Sequence, residues 1–197
     1  MKKQLVIITL ISLLIMPFSA FAGEPLDTIK GHINKVLDVL RDSSLKGESG
    51  KSAKKAKIRS ISDKMFDYTE LSRRTLGQNW NKFNGAQQKE FIELYKSLLE
   101  DAYSDKIMTY TDEHVLFTKE NMLSEKTCEV QTTIVTKKAE IPIYYRVIKK
   151  EDSWKVYDVV IEGVSLINNY RTQFREILSS KSPDELLDIL KKKVGKA

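Results

Sequence analysis

The sequence predicts an α+β fold, and three observations carry that prediction. Apolar residues recur at helical spacing from Leu26 to Tyr110; between Val115 and Ile161 the period drops to about two, in four β-branched and aromatic runs; from Leu166 a helical stripe returns. Helices grouped around a meander of antiparallel strands specify α+β and exclude a parallel, doubly wound sheet. The 197 residues are 41% hydrophobic with only eight Gly and four Pro, enough for one packed domain and unlike a disordered or fibrous chain.

Residues 1–22 have the layout of a secretory signal: Lys2 and Lys3, an apolar run from Leu5 to Met16, Pro17, then Ala20-Phe21-Ala22. The run is about a dozen residues, short of the ~20 that a spanning helix needs. Cleavage after Ala22 leaves residues 23–197 as a single exported domain. It removes two lysines and no acid, so the net charge falls from +6 to +4. That mild excess suits anionic partners and falls short of the basic footprint nucleic acid would require.

Leu26, Ile29, Ile33, Val36, Leu37 and Leu40 form one face of a first amphipathic helix. The Lys-, Ser- and Gly-rich stretch Leu45 to Ala56 reads as a solvated loop, after which Ile58, Ile61 and Met65 resume a helical stripe. Phe66 to Leu76 is a short helix stopped by Gly77, and Asn84 with Gln87 three residues on is a capping box. The next helix carries the broadest stripe in the chain, from Phe91 through Leu94, Tyr95, Leu98, Leu99 and Tyr103 to Tyr110.

Four strands follow, over Val115–Lys119, Cys128–Lys137, Glu140–Lys149 and Trp154–Ile161, linked at Asn121 to Lys126 and at Lys150 to Ser153 as antiparallel hairpins. In the third, Ile141, Ile143, Tyr145 and Val147 alternate with Pro142, Tyr144, Arg146 and Ile148, so one side of the sheet is apolar and needs a helical cover. Leu166, Ile167, Tyr170, Phe174, Ile177 and Leu178 mark another helix. Ser182-Pro183-Asp184-Glu185 supplies cap, first-turn proline and capping Glu for the last.

One cysteine, Cys128, and two distant histidines, His32 and His114, exclude a disulfide framework and any Cys/His zinc pattern. Phosphate loops, nucleophile elbows, His–Glu helix pairs and calcium loops are absent from the sequence. Asp158 is the one carboxylate in the apolar fourth strand. It is a candidate acid or base, weighed against a buried Asp bonded to backbone or Arg.

Two stretches carry a resemblance. The first is Leu76-Gly77-Gln78-Asn79-Trp80 leading into Ala86-Gln87-Gln88-Lys89-Glu90-Phe91; the second runs from Trp154 to Leu166, with the core Tyr157-Asp158-x-x-x-Glu162-Gly163-Val164-Ser165 followed by Asn169-Tyr170-Arg171-x-x-Phe174. Together they resemble the MlaC (toluene-tolerance) family of periplasmic phospholipid-binding proteins, and the order of elements agrees over residues 23–197.

The resemblance implies a curved, four-stranded, nuclear-transport-factor-like sheet packed against several helices, with an apolar lipid cavity between the layers. It implies a soluble, monomeric periplasmic carrier that moves phospholipid between an outer-membrane lipoprotein complex and an inner-membrane ABC transporter with an MCE-domain subunit, maintaining outer-membrane lipid asymmetry. Phospholipid is then cargo; no catalytic residue, metal or cofactor is implied. Candidate tail contacts are Ile141, Ile143, Tyr145 and Val147 on the third strand, Ile161 and Val164 at the junction, and Leu76, Leu94, Leu98, Tyr170 and Phe174 on the helices, some lining the cavity and others plain core. Candidate docking residues are Lys82, Lys89, Lys137 and Lys138. Two other readings stay open: an exported enzyme of the same fold type using Asp158 with Tyr145 or Tyr157, and an envelope adaptor that binds only proteins.

Overall fold

The computed structural model describes residues 23–195 apart from 46, 111–112 and 152; the export segment read over residues 1–22 lies outside the described residues. Among the described residues the order is α1 (Glu24–Arg41), α2 (Gly47–Met65), α3 (Tyr68–Leu76), a 3-10 helix (Gly77–Lys82), α4 (Gly85–Met108), β1 (His114–Ser124), β2 (Thr127–Val135), β3 (Glu140–Lys150), β4 (Ser153–Ile161), β5 (Val164–Ser165), α5 (Leu166–Ile177) and α6 (Pro183–Lys193). The strands form one antiparallel sheet in the order β1-β2-β3-β4-β5. The α+β class is as the sequence predicts.

The sheet has five strands where four were expected. The fifth is two residues long, folding back on β4 through Glu162 and Gly163, both at positive φ (49° and 83°), the geometry of a tight hairpin turn. β1 also runs on to Ser124, across most of the stretch read as a link, because Glu120, Asn121 and Met122 find partners in Val130, Glu129 and Cys128. Phe66, assigned to a helix, instead bridges Val156 on the free edge of β4; α3 starts after it, capped by Asp67.

The main departure is α2, which is helical from Gly47 through the stretch read as a loop. Local propensity did not announce it, since the bonds holding this helix come from outside. Lys54 Nζ donates to the Leu40 carbonyl at 2.6 Å, Lys57 pairs with Asp42 at 3.6 Å and Lys55 with Asp105 at 2.8 Å.

The apolar residues divide into two cores. In one, α3, α4, α5 and α6 pack around Leu71, Phe91, Tyr95, Phe174, Leu186 and Leu187. In the other, α1 and the end of α2 lie on one face of the sheet, with Ile29, Ile33 and Met65 against Cys128, Val130, Val147, Val156 and Val159. Phe66 and Tyr103 border both.

Candidate functional site

The register builds one apolar face residue by residue. Ile141, Ile143, Tyr145 and Val147 of β3 stand opposite Ile134, Thr132, Val130 and Cys128 of β2, and the last three of the β3 set opposite Ile161, Val159 and Val156 of β4. A bulge makes β4 comply: Arg146 pairs with Asp158 and Val147 with Val156, leaving Tyr157 as the extra residue. Without it, Val156 and Val159 would point to opposite faces.

Helix α1 lies across this inner face. Its N-terminus has no capping side chain of its own; Glu120 of β1 takes that role, accepting from the amides of Leu26 (2.8 Å) and Gly23 (3.2 Å). Beneath α1 the face is sealed, with Val130, Val147, Val156 and Cys128 at 0% exposure. Beyond it lies a rim of half-buried apolar side chains, Leu37, Tyr103, Val115, Phe117, Ile143, Tyr145 and Ile161, packed against the sealed floor. The Thr132 hydroxyl inside it donates to the Ile143 carbonyl at 2.7 Å. Burial pushes the Cys128 thiol up to about 11 and the Tyr145 phenol above its ordinary range, so both stay protonated at neutral pH.

The sequence-derived candidates separate by core. Ile141, Ile143, Tyr145 and Ile161 lie at the open side of the inner face, and Val147 in its sealed floor. Leu76, Leu94, Leu98, Tyr170 and Phe174 belong to the helical core, where Phe91, Tyr95, Tyr170 and Phe174 pack with ring centroids 5.2 to 5.7 Å apart. Val164 is 58% exposed on β5, since its neighbour Ser165 takes the inward position to cap α5. Leu37, Tyr103, Val115 and Phe117 share the rim and were not among the candidates. The alternation of Val115 and Phe117 on the first strand and the helical stripe holding Tyr103 were the available signals.

The lysines do not form one patch. Lys137 and Lys138 are exposed in the β2–β3 turn, beside the Ile134–Ile141 end of the inner face. Lys89 sits in the first turns of α4, about 20 Å along the helix axis from Tyr103, with Lys82 on the 3-10 helix before it.

Asp158 faces away from this site. It is 2% exposed and accepts from Ser165 Oγ (2.7 Å), the Ile167 amide (3.1 Å) and Arg146 Nη1 (3.3 Å), tying the start of α5 to β4. Tyr157 lies under the Arg74 guanidinium, 4.1 Å from ring centroid to carbon. All the acceptor directions of Asp158 that the fold supplies with donors are engaged in structure. No group of three or more His, Cys, Asp or Glu able to hold a metal occurs among the described residues. A surface depression of about 410 Å³ between α1 and α2 is lined by Asp38, Arg41, Asp42 and Lys57, a charged lining unsuited to an apolar ligand.

The family model described as MlaC protein matches residues 30–192, most of the chain and both cores. The chain belongs to the MlaC family. One MlaC relative, the intermembrane phospholipid transport system binding protein of Haemophilus influenzae, is 24% identical over 119 residues, covering 58% of this chain and 56% of that one. The match therefore spans about half the relative's length. A solved structure of a phospholipid-binding protein from Ralstonia solanacearum, in complex with a phospholipid, superposes with a TM-score of 0.77 at 22% identity, covering 88% of this chain and 98% of that chain. That likeness places the MlaC chain in the same fold. No helix among the described residues is long and apolar enough to cross a membrane.

Proposed function

We propose that the chain is a soluble periplasmic phospholipid carrier that holds acyl chains between the inner face of its sheet and the helices α1 and α4. The observation that carries this reading is the half-buried apolar rim, continuous with a sealed apolar floor, on a face closed by a helix rather than by a second sheet. Burying an acyl chain is worth about 0.8 kcal/mol per CH₂, so a long chain contributes on the order of 10 kcal/mol and has to be largely covered in a water-soluble carrier.

An apolar space of that size costs stability when empty, because its walls lose contacts that nothing replaces. Closure of α1 onto Val130 and Val147 is what such a protein does between cargoes. Ile141, Ile143, Tyr145 and Ile161 take the tail, and the headgroup stays near the β2–β3 turn. Lys137 and Lys138 then flank the headgroup, available to acidic partner surfaces at the outer and inner membranes. Flow in either direction requires only differential affinity among carrier and partners. An energy source belongs to another subunit, the ABC transporter of the inner membrane.

The test is a charge on the rim. Tyr145→Glu and Ile143→Asp each leave a folded protein, by circular dichroism, with at least tenfold less bound phospholipid after incubation with vesicles, because a carboxylate there opposes acyl burial. Undiminished lipid in both folded variants contradicts the site.

A further inference from the structure

The inner face is bounded by two walls, the α1–α2 pair on one side and the C-terminal half of α4, with Tyr103, on the other. Those walls meet along α2 and α4, and the joint between them is polar. Lys55 pairs with Asp105 at 2.8 Å, Arg59 with Glu100, and Asp63 with Lys96: three ion pairs at one-turn intervals on antiparallel helices. Between Lys51 and Lys64 no side chain of α2 is buried; Ile58 and Ile61 are half-buried, and Met65 is the first to be covered fully. The α1–α2 joint is polar as well, through Lys54 to the Leu40 carbonyl and Lys57 to Asp42, whereas the α4–α6 seam has an apolar centre. α6 is held on α4 by Leu186, Leu187 and Leu190, all within 2% of complete burial.

An exposed ion pair contributes little and is screened by salt, whereas a buried leucine holds firmly at any ionic strength. One member of each pair stands in water, Asp105, Arg59 and Asp63 at 76%, 59% and 43% exposure, while Glu100 and Lys96 are 16% and 19% exposed. The second carboxylate oxygen of Glu100 is buried without a hydrogen-bond partner, so the closed seam leaves one of its own groups unsatisfied. The α2–α4 seam is therefore a joint of the apolar face held by charges rather than by buried leucines.

We propose that the α2–α4 seam is the gate through which an acyl chain enters and leaves, and that Lys55, Arg59, Asp63, Lys96, Glu100 and Asp105 form the latch that sets its opening rate. The proposal rests on the carrier reading and deepens it. α2 parts from α4, the ion pairs separate, and the rim opens without disturbing the helical core.

The experiment loads the purified protein with a self-quenching fluorescent phospholipid and follows its release into equimolar phosphatidylethanolamine–phosphatidylglycerol vesicles. Asp63→Asn/Glu100→Gln/Asp105→Asn releases lipid about tenfold faster, the combined worth of three partly exposed pairs. Raising the ionic strength to about 0.5 M accelerates the parent protein and leaves the triple variant unmoved. A reducible bis-maleimide cross-link between Lys55→Cys and Asp105→Cys stops release until a thiol reductant is added, and Glu90→Gln, which removes the Lys191 pair on the α4–α6 side, changes nothing. A protein that loads normally but whose release ignores both the triple substitution and the cross-link overturns the gate alone. One that takes up no lipid overturns the carrier reading and the gate with it.

Discussion

Asp158 and Tyr145 lie on opposite faces of the sheet. Asp158→Ala leaves Ser165 and the first turn of α5 without their acceptor and Arg146 with Glu129 alone, so urea denaturation shows a loss of about 2 kcal/mol; a loss under about 1 kcal/mol contradicts the anchoring role. Cys128, at 0% exposure with its thiol pushed up to about 11, resists alkylation at pH 8 in the folded protein and reacts only on unfolding. Tyr145 and its neighbours were legible as one face because period-two alternation needs no tertiary information. Tyr157 was not: the bulge that turns Asp158 outward and Val159 inward depends on the register with β3, which the fourth strand does not carry in its own pattern. Val164 was placed at the cavity wall because it follows an apolar strand, whereas the inward position went to Ser165, the cap of α5.

At the scale of elements, helices with strong local signals came out where their caps put them. Asn84–Gln87 and Ser182–Glu185 both form complete capping boxes. Ser182→Ala lowers stability by about 1 kcal/mol while lipid uptake stays unchanged, since α6 packs on the helical core away from the inner face. α2 escaped the sequence because its partners, Leu40, Asp42, Glu100 and Asp105, lie on other elements. α1 carries a pH response. His32 Nδ1 is buried without a hydrogen-bond partner, and desolvation, followed by Lys35, Lys155 and Lys64, lowers the imidazole below its ordinary 6.5. The unfolded chain therefore binds the proton first, and stability falls as the pH drops through 6.5 towards the folded-state value. His32→Gln flattens the melting temperature between about pH 7 and pH 5; an unchanged slope assigns the effect elsewhere.

Across the whole molecule, the apolar residues divide between two cores, and the proposed lipid site lies in one of them. The helical core, with its packed aromatic rings, holds α3 to α6 as a frame, and the inner face of the sheet closes against α1 and α2, the helices with the most polar joint. Periodicity alone gave both sets of apolar positions and could not apportion them, because a stripe facing a ligand and a stripe facing another helix have the same spacing. Leu94, Leu98, Tyr170 and Phe174 fell to the frame; Ile143, Tyr145 and Ile161 fell to the rim, and burial in three dimensions made the distinction. The proposed lipid site is the rim and floor of this face. The most direct measurement is organic extraction of the protein purified under native conditions and after incubation with phospholipid vesicles, followed by mass spectrometry of the extract. The account predicts phospholipid in stoichiometric amount, lost in Tyr145→Glu; an extract free of phospholipid from folded protein under both conditions contradicts it.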